Sequence, residues 1–236
     1  MKKPSKRHQA AVKLVEPNKN YTLPDAIGLL KKFPRPKFDE SVELHFQLGI
    51  KPDQTDEVVR GSVALPHGSG RSKTVVCFCK GEEVRSAQAA GAEHVGGEEL
   101  VAKIQGGWMD FDAVVAHPDM MREVSKLGRV LGPKGLMPSP KNGTVTPHVA
   151  KAVKEIKAGK IDFKSDKTAG IHVACGKVSF SDQAILENAA VAIKAVYQAK
   201  PQSAKGDYVK RVYLSATQSP GISLELSSIA SKQQEE

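Results

Sequence analysis

The hexapeptide Leu65-Pro66-His67-Gly68-Ser69-Gly70 marks the point at which the sequence pattern of this chain changes. Before it, Ser41–Leu48 alternates polar and apolar residues, and Val58–Leu65 forms a second run, and both are typical of strands. After it, short apolar runs alternate with helical segments. The proline and the glycines of the hexapeptide favour a turn. We therefore expect the chain to cross from one domain into another at Gly68–Gly70.

The segment that follows the crossing predicts a small α/β domain. Lys73–Lys80 and Asp112–Ala116 are apolar runs of strand length. Helices are predicted at Glu82–Ala90, Glu98–Gln105, Pro118–Leu127 and Pro147–Ala158, most of them ending at glycines. Strands that alternate with helices over short connections indicate a small parallel, Rossmann-like sheet.

The residues on either side of this segment predict one further domain. Thr22 is a candidate N-cap for a helix that runs to about Phe33. After Gly159, strands are predicted at Lys160–Lys164, Ile171–Phe180 and, as the last one, Arg211–Ser215, with a helix starting at Ser181 or Asp182. The predicted fold is a discontinuous α+β domain of split β-α-β order (residues 1–67 and 160–236) with an inserted α/β, Rossmann-like three-layer domain (residues 68–159).

The charge of the chain is unevenly distributed. The net charge is +9, with residues 1–37 at +8, residues 38–127 at −6 and residues 128–167 at +6. Two basic blocks around an acidic middle fit a protein of which one part contacts a polyanion. Solvated charged surfaces with no partner are the alternative explanation.

The second basic block begins with a run of glycines, prolines and cations from Gly128 to Val145. This run is too broken for a helix and too rich in proline for a central strand, so it predicts a shaped, basic loop. Such a loop could present cations to a partner, or it could simply stabilise its own domain.

Three features bound the environment and exclude some chemistry. No apolar stretch approaches the length of a membrane span, and the N-terminus lacks the apolar core of a signal peptide, so we expect a cytoplasmic protein. Cys77, Cys79 and Cys175 are expected to be reduced core residues, since three cysteines form no disulfide framework and no complete metal site. We expect no cofactor and no metal.

Two classes of function compete with the binding of a polyanion such as RNA. An enzyme is suggested by Gly68–Thr74, which resembles a phosphate-binding P-loop, but Ser72 stands where that loop needs glycine, and a strand follows where a helix should begin. The seven histidines are dispersed and show no nucleophile pairing. A module that binds only proteins is the other class, and it predicts weak salt dependence of binding where RNA binding predicts a steep one.

Several motifs of the chain resemble the ribosomal protein L1 family of the large subunit, in its bacterial form. They are the hexapeptide at 65–70, the run 128–145, Asp166-Lys167 followed by Gly170-Ile171-His172, and Gly176-Lys177-Val178-Ser179-Phe180. The motifs occur in order over nearly the whole chain. The resemblance implies a non-enzymatic, two-domain protein, monomeric when free, whose split domain binds the mobile stalk of large-subunit rRNA.

The resemblance also implies two further partners and a set of RNA-binding residues. The partners are deacylated tRNA at the exit site and the leader of the protein's own messenger, whose translation is repressed. Carried over residue by residue, the rRNA-binding residues are Lys37, Phe38, Ser41, Glu43, Lys164, Asp166, Lys167, His172, Thr217, Gln218 and Ser219. Secondary contacts with RNA or tRNA are expected from Arg129, Lys134, Lys141, Lys151 and Lys154.

For three of these residues the sequence leaves an alternative open. Phe38 and His172 could instead be core residues, and Glu43 could be an ordinary exposed strand residue. Asp166 is expected to lock a turn by accepting hydrogen bonds from backbone amides.

The chain departs from the family at the end of its last predicted strand. Gln218 and Ser219 follow Thr217 where the family usually has methionine and glycine. Glycine allows a ligand to approach the backbone closely, and Ser219 adds bulk and, if its φ is positive, strain. We therefore predict that Ser219→Gly preserves or strengthens RNA binding.

Overall fold

The computed structural model describes residues 4–51, 57–204 and 206–226, which form two compact units. One unit comprises the described residues up to Gly70 and from Ile161 onward, and the other comprises Arg71–Lys160. We call them the antiparallel unit and the parallel unit, after the direction of strand pairing in their main sheets. The mixed α/β composition, with both a parallel and an antiparallel sheet, confirms the predicted fold class at that level, whereas the split β-α-β and Rossmann-like arrangements stay predictions.

The elements follow one another in this order. The chain begins with α1 (Lys6–Leu14), α2 (Leu23–Lys31), β1 (Ser41–Leu48) and β2 (Arg60–Ala64). The parallel unit contains β3 (Val75–Phe78), α3 (Glu83–Ala89), β4 (His94–Gly96), α4 (Glu98–Gln105), β5 (Ala113–Ala116), α5 (Met121–Val124), α6 (Gly128–Leu131) and α7 (Val149–Lys157). The chain then continues through β6 (Lys160–Lys164), β7 (Gly170–Lys177), α8 (Asp182–Gln198), β8 (Val209–Ala216) and β9 (Ile222–Ser223).

The main sheet of the antiparallel unit has one buried face and one open face. Its strand order is β7-β1-β8-β9, and every neighbouring pair is antiparallel. The apolar residues of β1 (Val42, Leu44, Phe46 and Leu48) are buried. Helices α2 and α8, which begin at the N-caps Thr22 and Ser181, lie on the buried side. The strict alternation of β1 therefore places its polar residues on the other face.

A buried asparagine fixes the middle of the hexapeptide at residues 65–70. Asn188 of α8 has no exposed surface. Its Oδ1 accepts a hydrogen bond from the backbone amide of His67 (3.0 Å), and its Nδ2 donates to the carbonyls of Gly68 (2.9 Å) and Cys175 (2.8 Å). One side chain thus ties the chain after β2 to the helix and to β7.

The sheet of the parallel unit is covered on both faces. Its strand order is β4-β3-β5, and both pairs are parallel. Val76 and Phe78 of β3 pack into an apolar cluster with α4, whereas Val75 and Cys77 pack into another with α3 and α7. Parallel strands commonly require such cover, which explains why β3 reads as a continuous apolar run.

The cysteine prediction is confirmed. Cys77, Cys79 and Cys175 are buried and free. Burial raises the pKa of the Cys77 thiol, and it raises the pKa of Cys175 to about 12. The three thiols are therefore inert, protonated core groups.

Several predicted elements need correction. The helix expected from Pro118 to Leu127 is interrupted, because 3₁₀ turns at Pro118–Met120 and Ser125–Leu127 flank the single α-helical turn of α5. The run from Gly128 is not a loop throughout, since Gly128–Leu131 forms α6 with the buried Leu131. The expectation that Arg211–Ser215 is the last strand is wrong, because β9 follows it.

Two short elements carry signals too weak for a prediction from sequence. The three-residue strand β4 gains its stability from pairing with β3. Helix α1 has a low mean hydropathy, but its Ser5 N-cap accepts a hydrogen bond from the amide of His8. Pairing with a neighbouring strand accounts for β4, whereas the N-cap is a local signal for α1.

Candidate nucleic-acid interface

The open face of the antiparallel sheet is polar over three strands. β1 contributes Ser41, Glu43, His45 and Gln47, β7 contributes His172, and β8 contributes Arg211, Tyr213 and Ser215. The strand register places His45 opposite both His172 and Tyr213, and Gln47 opposite Arg211. With a rise of about 3.3 Å per residue, β1 makes this surface about 25 Å long.

One end of the open face joins two segments that are far apart in sequence. The backbone amide of Ser41 donates to Oγ1 of Thr217, and the amide of Thr217 donates to the carbonyl of Ser41, both at 3.0 Å. The Ser41 hydroxyl accepts a hydrogen bond from Lys177 at 2.9 Å. Ser41 and Thr217 therefore form one rigid corner, which brings the predicted RNA-binding residues at the start of β1 together with those at 217–219.

The turn that departs from the family is well supported by hydrogen bonds. Gln218 has a φ of 63°, and its Oε1 accepts a hydrogen bond from Arg7 of α1 at 3.0 Å. The Ser219 hydroxyl accepts from the amide of Ala216 (2.8 Å) and donates to the carbonyl of Pro220 (3.0 Å). The left-handed residue of this turn is thus Gln218 and not Ser219, whose side chain closes the turn. The effect of Ser219→Gly on RNA binding stays a prediction.

The other end of the open face is shaped by Asp166. Its Oδ1 accepts hydrogen bonds from the amide of Thr168 (2.8 Å), the hydroxyl of Thr168 (2.8 Å) and the amide of Gly170 (2.7 Å). These bonds, led by the Gly170 amide, lower the pKa of the Asp166 carboxyl. The expectation that Asp166 locks a turn through backbone amides is confirmed. Gln47 donates to the carbonyl of Thr168 at 3.0 Å, so the turn is attached to β1.

A chain of hydrogen-bonded side chains crosses the middle of the open face. Nδ1 of His45 lies 2.7 Å from Nδ1 of His172, and Nε2 of His45 lies 2.7 Å from Oγ of Ser215. Burial, and next the neighbouring His172, lower the pKa of His45, while Glu43 acts in the opposite direction. The His172 side chain is 59 % exposed, so the alternative that it is a core histidine is wrong.

The borders of the open face present an exposed aromatic ring and unpaired cations. Phe38 is 50 % exposed, so the alternative that it is a core residue is also wrong. Lys37, Lys164 and Lys167 are exposed, and none of them has an ion-pair partner among the residues that the structure describes. Such groups are free to neutralise phosphates, and an exposed ring can stack on a base.

The sequence missed several residues of this surface although their signal was present. His45 and Gln47 alternate with the buried residues of β1 in register with Ser41 and Glu43, so the same period predicts the same face. Tyr213 and Ser215 follow the same rule in β8. Arg7 carries no such signal, because only the tertiary structure brings α1 to Gln218.

The cations of the secondary set belong to the parallel unit and are exposed. They are Arg129 on α6, Lys134 after it, Lys141 on a 3₁₀ turn, and Lys151 and Lys154 on α7. The loop that carries Lys134 and Lys141 is itself folded onto its unit, since Pro138 is buried and the amide of Ala116 donates to the carbonyl of Thr144. Its glycines and prolines thus serve the stability of the unit, whereas its lysines project into solvent.

The described parts of the chain contain neither a cluster of metal ligands nor a helix that could span a membrane. No three or more histidine, cysteine, aspartate or glutamate residues in residues 4–51, 57–204 and 206–226 lie close enough together to hold a metal ion. Within those same ranges, every helix is too short or too polar to span a bilayer.

Comparison with known proteins agrees with the motifs of the sequence. The model of the Ribosomal protein L1p/L10e family matches residues 30–220. The large ribosomal subunit protein uL1 of Kosmotoga olearia is 51% identical over 225 residues, which cover 95% of this chain and 97% of that protein. The protein of the same name from Solibacter usitatus is 53% identical over 225 residues, covering 95% and 94%. The chain therefore belongs to the Ribosomal protein L1p/L10e family, a family of ribosomal structural proteins and not of enzymes.

Proposed function

We propose that this protein is a structural constituent of the large ribosomal subunit that binds the stalk of large-subunit rRNA through the open face of its antiparallel sheet. The observation that carries the proposal is the arrangement of that face. It joins polar residues from three distant parts of the sequence on one rigid sheet, with exposed lysines and an exposed phenylalanine at its borders.

The chemistry of the open face suits folded RNA. Lys37, Lys164 and Lys167 supply affinity by releasing counterions from phosphates. The Glu43 carboxylate can accept a hydrogen bond from a 2′-hydroxyl or from a guanine amine, which a lysine cannot do. Phe38 offers a ring on which a base or a sugar can lie. Because the polar residues sit on strands held from behind by a core, the RNA meets a surface whose shape is set in advance.

Three further roles are part of the same proposal. The exposed cations of the parallel unit, at the five positions given above, contact exit-site tRNA or neighbouring RNA and assist the release of deacylated tRNA. The protein also binds the leader of its own messenger and represses its translation. It works in the cytoplasm, on the ribosome, and it is a monomer when free. These roles rest on membership of the family and on the exposed cations, not on a geometric site of their own.

Binding to a transcript of the large-subunit stalk, compared with an unrelated duplex of equal length, tests the proposal. Both are titrated over a salt series. We expect tight binding to the stalk only, with an affinity that falls steeply as salt rises. Equal, weak binding to both RNAs would contradict the assignment. Weak salt dependence would instead favour a module that binds proteins.

Two double variants, one of them a control, identify the face that binds the stalk RNA. Phe38→Ala combined with Glu43→Ala removes two groups that border or lie on the open face without touching its core side. We expect at least about a tenfold loss of affinity for the stalk and little change for the duplex, because base and sugar contacts carry the specificity. Lys151→Ala combined with Lys154→Ala is the matched control on the parallel unit.

A further inference from the structure

The histidine pair at the centre of the open face has a hydrogen-bonding pattern that one proton can reverse. His45 and His172 are cross-strand partners, and their Nδ1 atoms are 2.7 Å apart. Nε2 of His45 reaches Ser215, and Nε2 of His172 lies 3.6 Å from the carboxylate of Asp166. The His45 side chain is 28 % exposed, so the pair is open to solvent and to a ligand.

The neutral pair has one consistent arrangement of protons. Two ring nitrogens at 2.7 Å require that one donates and the other accepts. The carboxylate of Asp166 attracts a proton on the facing Nε2 of His172, so Nδ1 of His172 is the acceptor. His45 then donates from Nδ1, and its Nε2 accepts a hydrogen bond from the Ser215 hydroxyl. In this state the Ser215 hydroxyl already donates its hydrogen to His45, and only the lone pairs of its oxygen are available to a ligand.

The uptake of one proton reverses every bond in this chain. The incoming proton binds to Nε2 of His45, and the proton on Nδ1 of His45 transfers to Nδ1 of His172. His172 is then the charged ring, beside Asp166, and His45 is neutral with its proton on Nε2. Ser215 now accepts from His45, so its hydroxyl hydrogen is free to donate. A second proton would set two donors and two like charges against each other, so the pair takes up one proton only.

We propose that the His45–His172 pair binds one proton when RNA binds to the open face, and that this proton converts Ser215 into a hydrogen-bond donor toward the RNA. The inference rests on the proposed function. The phosphates of a bound RNA favour an added positive charge, so the complex holds the proton more tightly than the free protein does. Burial and the neighbouring ring lower the pKa of His45, so the added charge lies on His172 rather than on His45.

The charged and titratable groups around the pair determine how readily it takes up a proton. From β1, Glu43 lies 4.0 Å from Nε2 of His45, and from the turn before β7, Asp166 faces His172. Both carboxylates favour the protonated pair. Lys167 in the same turn and Arg211 on β8 oppose it, and the phenol of Tyr213 lies opposite His45 on β8. Bound phosphates would neutralise the two cations.

The affinity for the stalk transcript, measured from about pH 7.5 to about pH 5.5, tests this inference. Because one proton is taken up, the affinity of the wild type should rise by about three- to tenfold over this range, with at most one decade per pH unit. His45→Gln combined with His172→Gln should abolish the rise relative to the wild type, and this comparison also removes any titration of the RNA itself. His148→Gln, at an exposed position of the parallel unit, is the control and should behave as the wild type.

The possible failures can be told apart. Equal pH dependence in the wild type and in the double variant would overturn the inference while leaving the proposed function intact. If no RNA binds at any pH, the proposed function fails. The pair is then tested in the free protein by following its ring protons in NMR spectra over the same range: two separate titrations would overturn the one-proton arrangement, and a single coupled one would support it. His172→Gln alone, at a mostly exposed position, provides a folded variant if the double variant is unstable.

Discussion

The two units of this protein use their sheets in opposite ways. The parallel sheet is covered on both faces, with Val76 and Phe78 on one side and Val75 and Cys77 on the other, so both of its faces pack into the core of its own unit. The antiparallel sheet is covered on one face only, and its other face carries polar side chains over three strands. The comparison teaches that a binding surface on rigid strands requires a sheet with one uncovered face, whereas a doubly covered sheet leaves binding to helices and loops.

The difference also separates two kinds of cation. Lys164 and Lys167 stand next to a turn that Asp166 fixes with three hydrogen bonds, and the turn is attached to β1. Lys151 and Lys154 project from the exposed side of α7, one turn apart. The first pair borders a shaped surface and the second does not, although the charge is the same. Specific and general attraction to RNA should therefore be separable by mutation.

The largest effect is expected from the buried asparagine of the antiparallel unit. Asn188→Ala removes a fully buried side chain and leaves one amide and two carbonyls without their partner, and we expect a loss of about 3 kcal/mol in the free energy of unfolding. Chemical denaturation followed by circular dichroism measures it. Trp108, the single tryptophan, reports on the parallel unit alone.

Asn142→Ala is the matched control in the parallel unit. The buried Oδ1 of Asn142 has no hydrogen-bond partner within the described residues, so its removal should change stability by less than about 0.5 kcal/mol. Equal losses for the two asparagines would contradict this account, since three hydrogen bonds hold the side chain of Asn188 and, within the described residues, none holds Oδ1 of Asn142.

The two pairs of lysines give the next effect. Lys164→Ala with Lys167→Ala should weaken binding to the stalk transcript by about tenfold or more and reduce the steepness of the salt dependence by about two phosphates. Lys151→Ala with Lys154→Ala should weaken it by no more than about threefold. Measurement of both affinities over one salt series tests whether the two pairs differ. An equal loss of affinity in both variants would show that charge alone governs binding.

A smaller effect, which depends on pH, is expected from the turn at Asp166. Its pKa is lowered in the folded state, so the carboxylate adds stability above the ordinary pKa of about 3.9, and this is lost as the pH falls through the folded value. The difference in free energy of unfolding between the wild type and Asp166→Asn should thus be largest above about pH 5 and shrink below about pH 4.

The control for that experiment is Asp110→Asn. Asp110 is an exposed residue of the parallel unit, and it makes no hydrogen bond to any residue that the structure describes. The difference measured for Asp166→Asn is compared with that of this variant. A difference for Asp166→Asn that stays constant over the pH range would contradict the assigned hydrogen bonds.

The smallest effect is expected at the turn that departs from the family. Gln218 has a left-handed backbone that glycine adopts without cost, so Gln218→Gly should stabilise the protein by about 0.5 kcal/mol even though the bond from Arg7 is lost. Ser219→Gly should destabilise it by about 1 kcal/mol, because two hydrogen bonds of its hydroxyl disappear. Thermal unfolding should show that the two substitutions change stability in opposite directions. A stabilised Ser219→Gly variant would overturn this account of the turn.

The sequence by itself determined the elements and the kind of site. Alternation along β1, the N-caps Thr22 and Ser181, and the apolar runs of β3 and β5 predict those elements within a few residues, because side-chain period and capping are local properties. The polar residues of β1 and the motif around Asp166 likewise identify most of the candidate surface. Local rules could not find β4 or β9, which are too short to carry a period of their own and exist through pairing with a neighbouring strand.

The tertiary structure alone decided how the distant segments meet. Only the register of β1 with β7 and β8 brings His45, His172 and Ser215 into one hydrogen-bonded chain. Only the packing of α1 brings Arg7 to Gln218. Gln218, and not Ser219, is the left-handed residue of that turn. The reason is physical: pattern and propensity act between neighbours in sequence, whereas strand register and buried hydrogen bonds depend on groups that the fold alone makes neighbours in space.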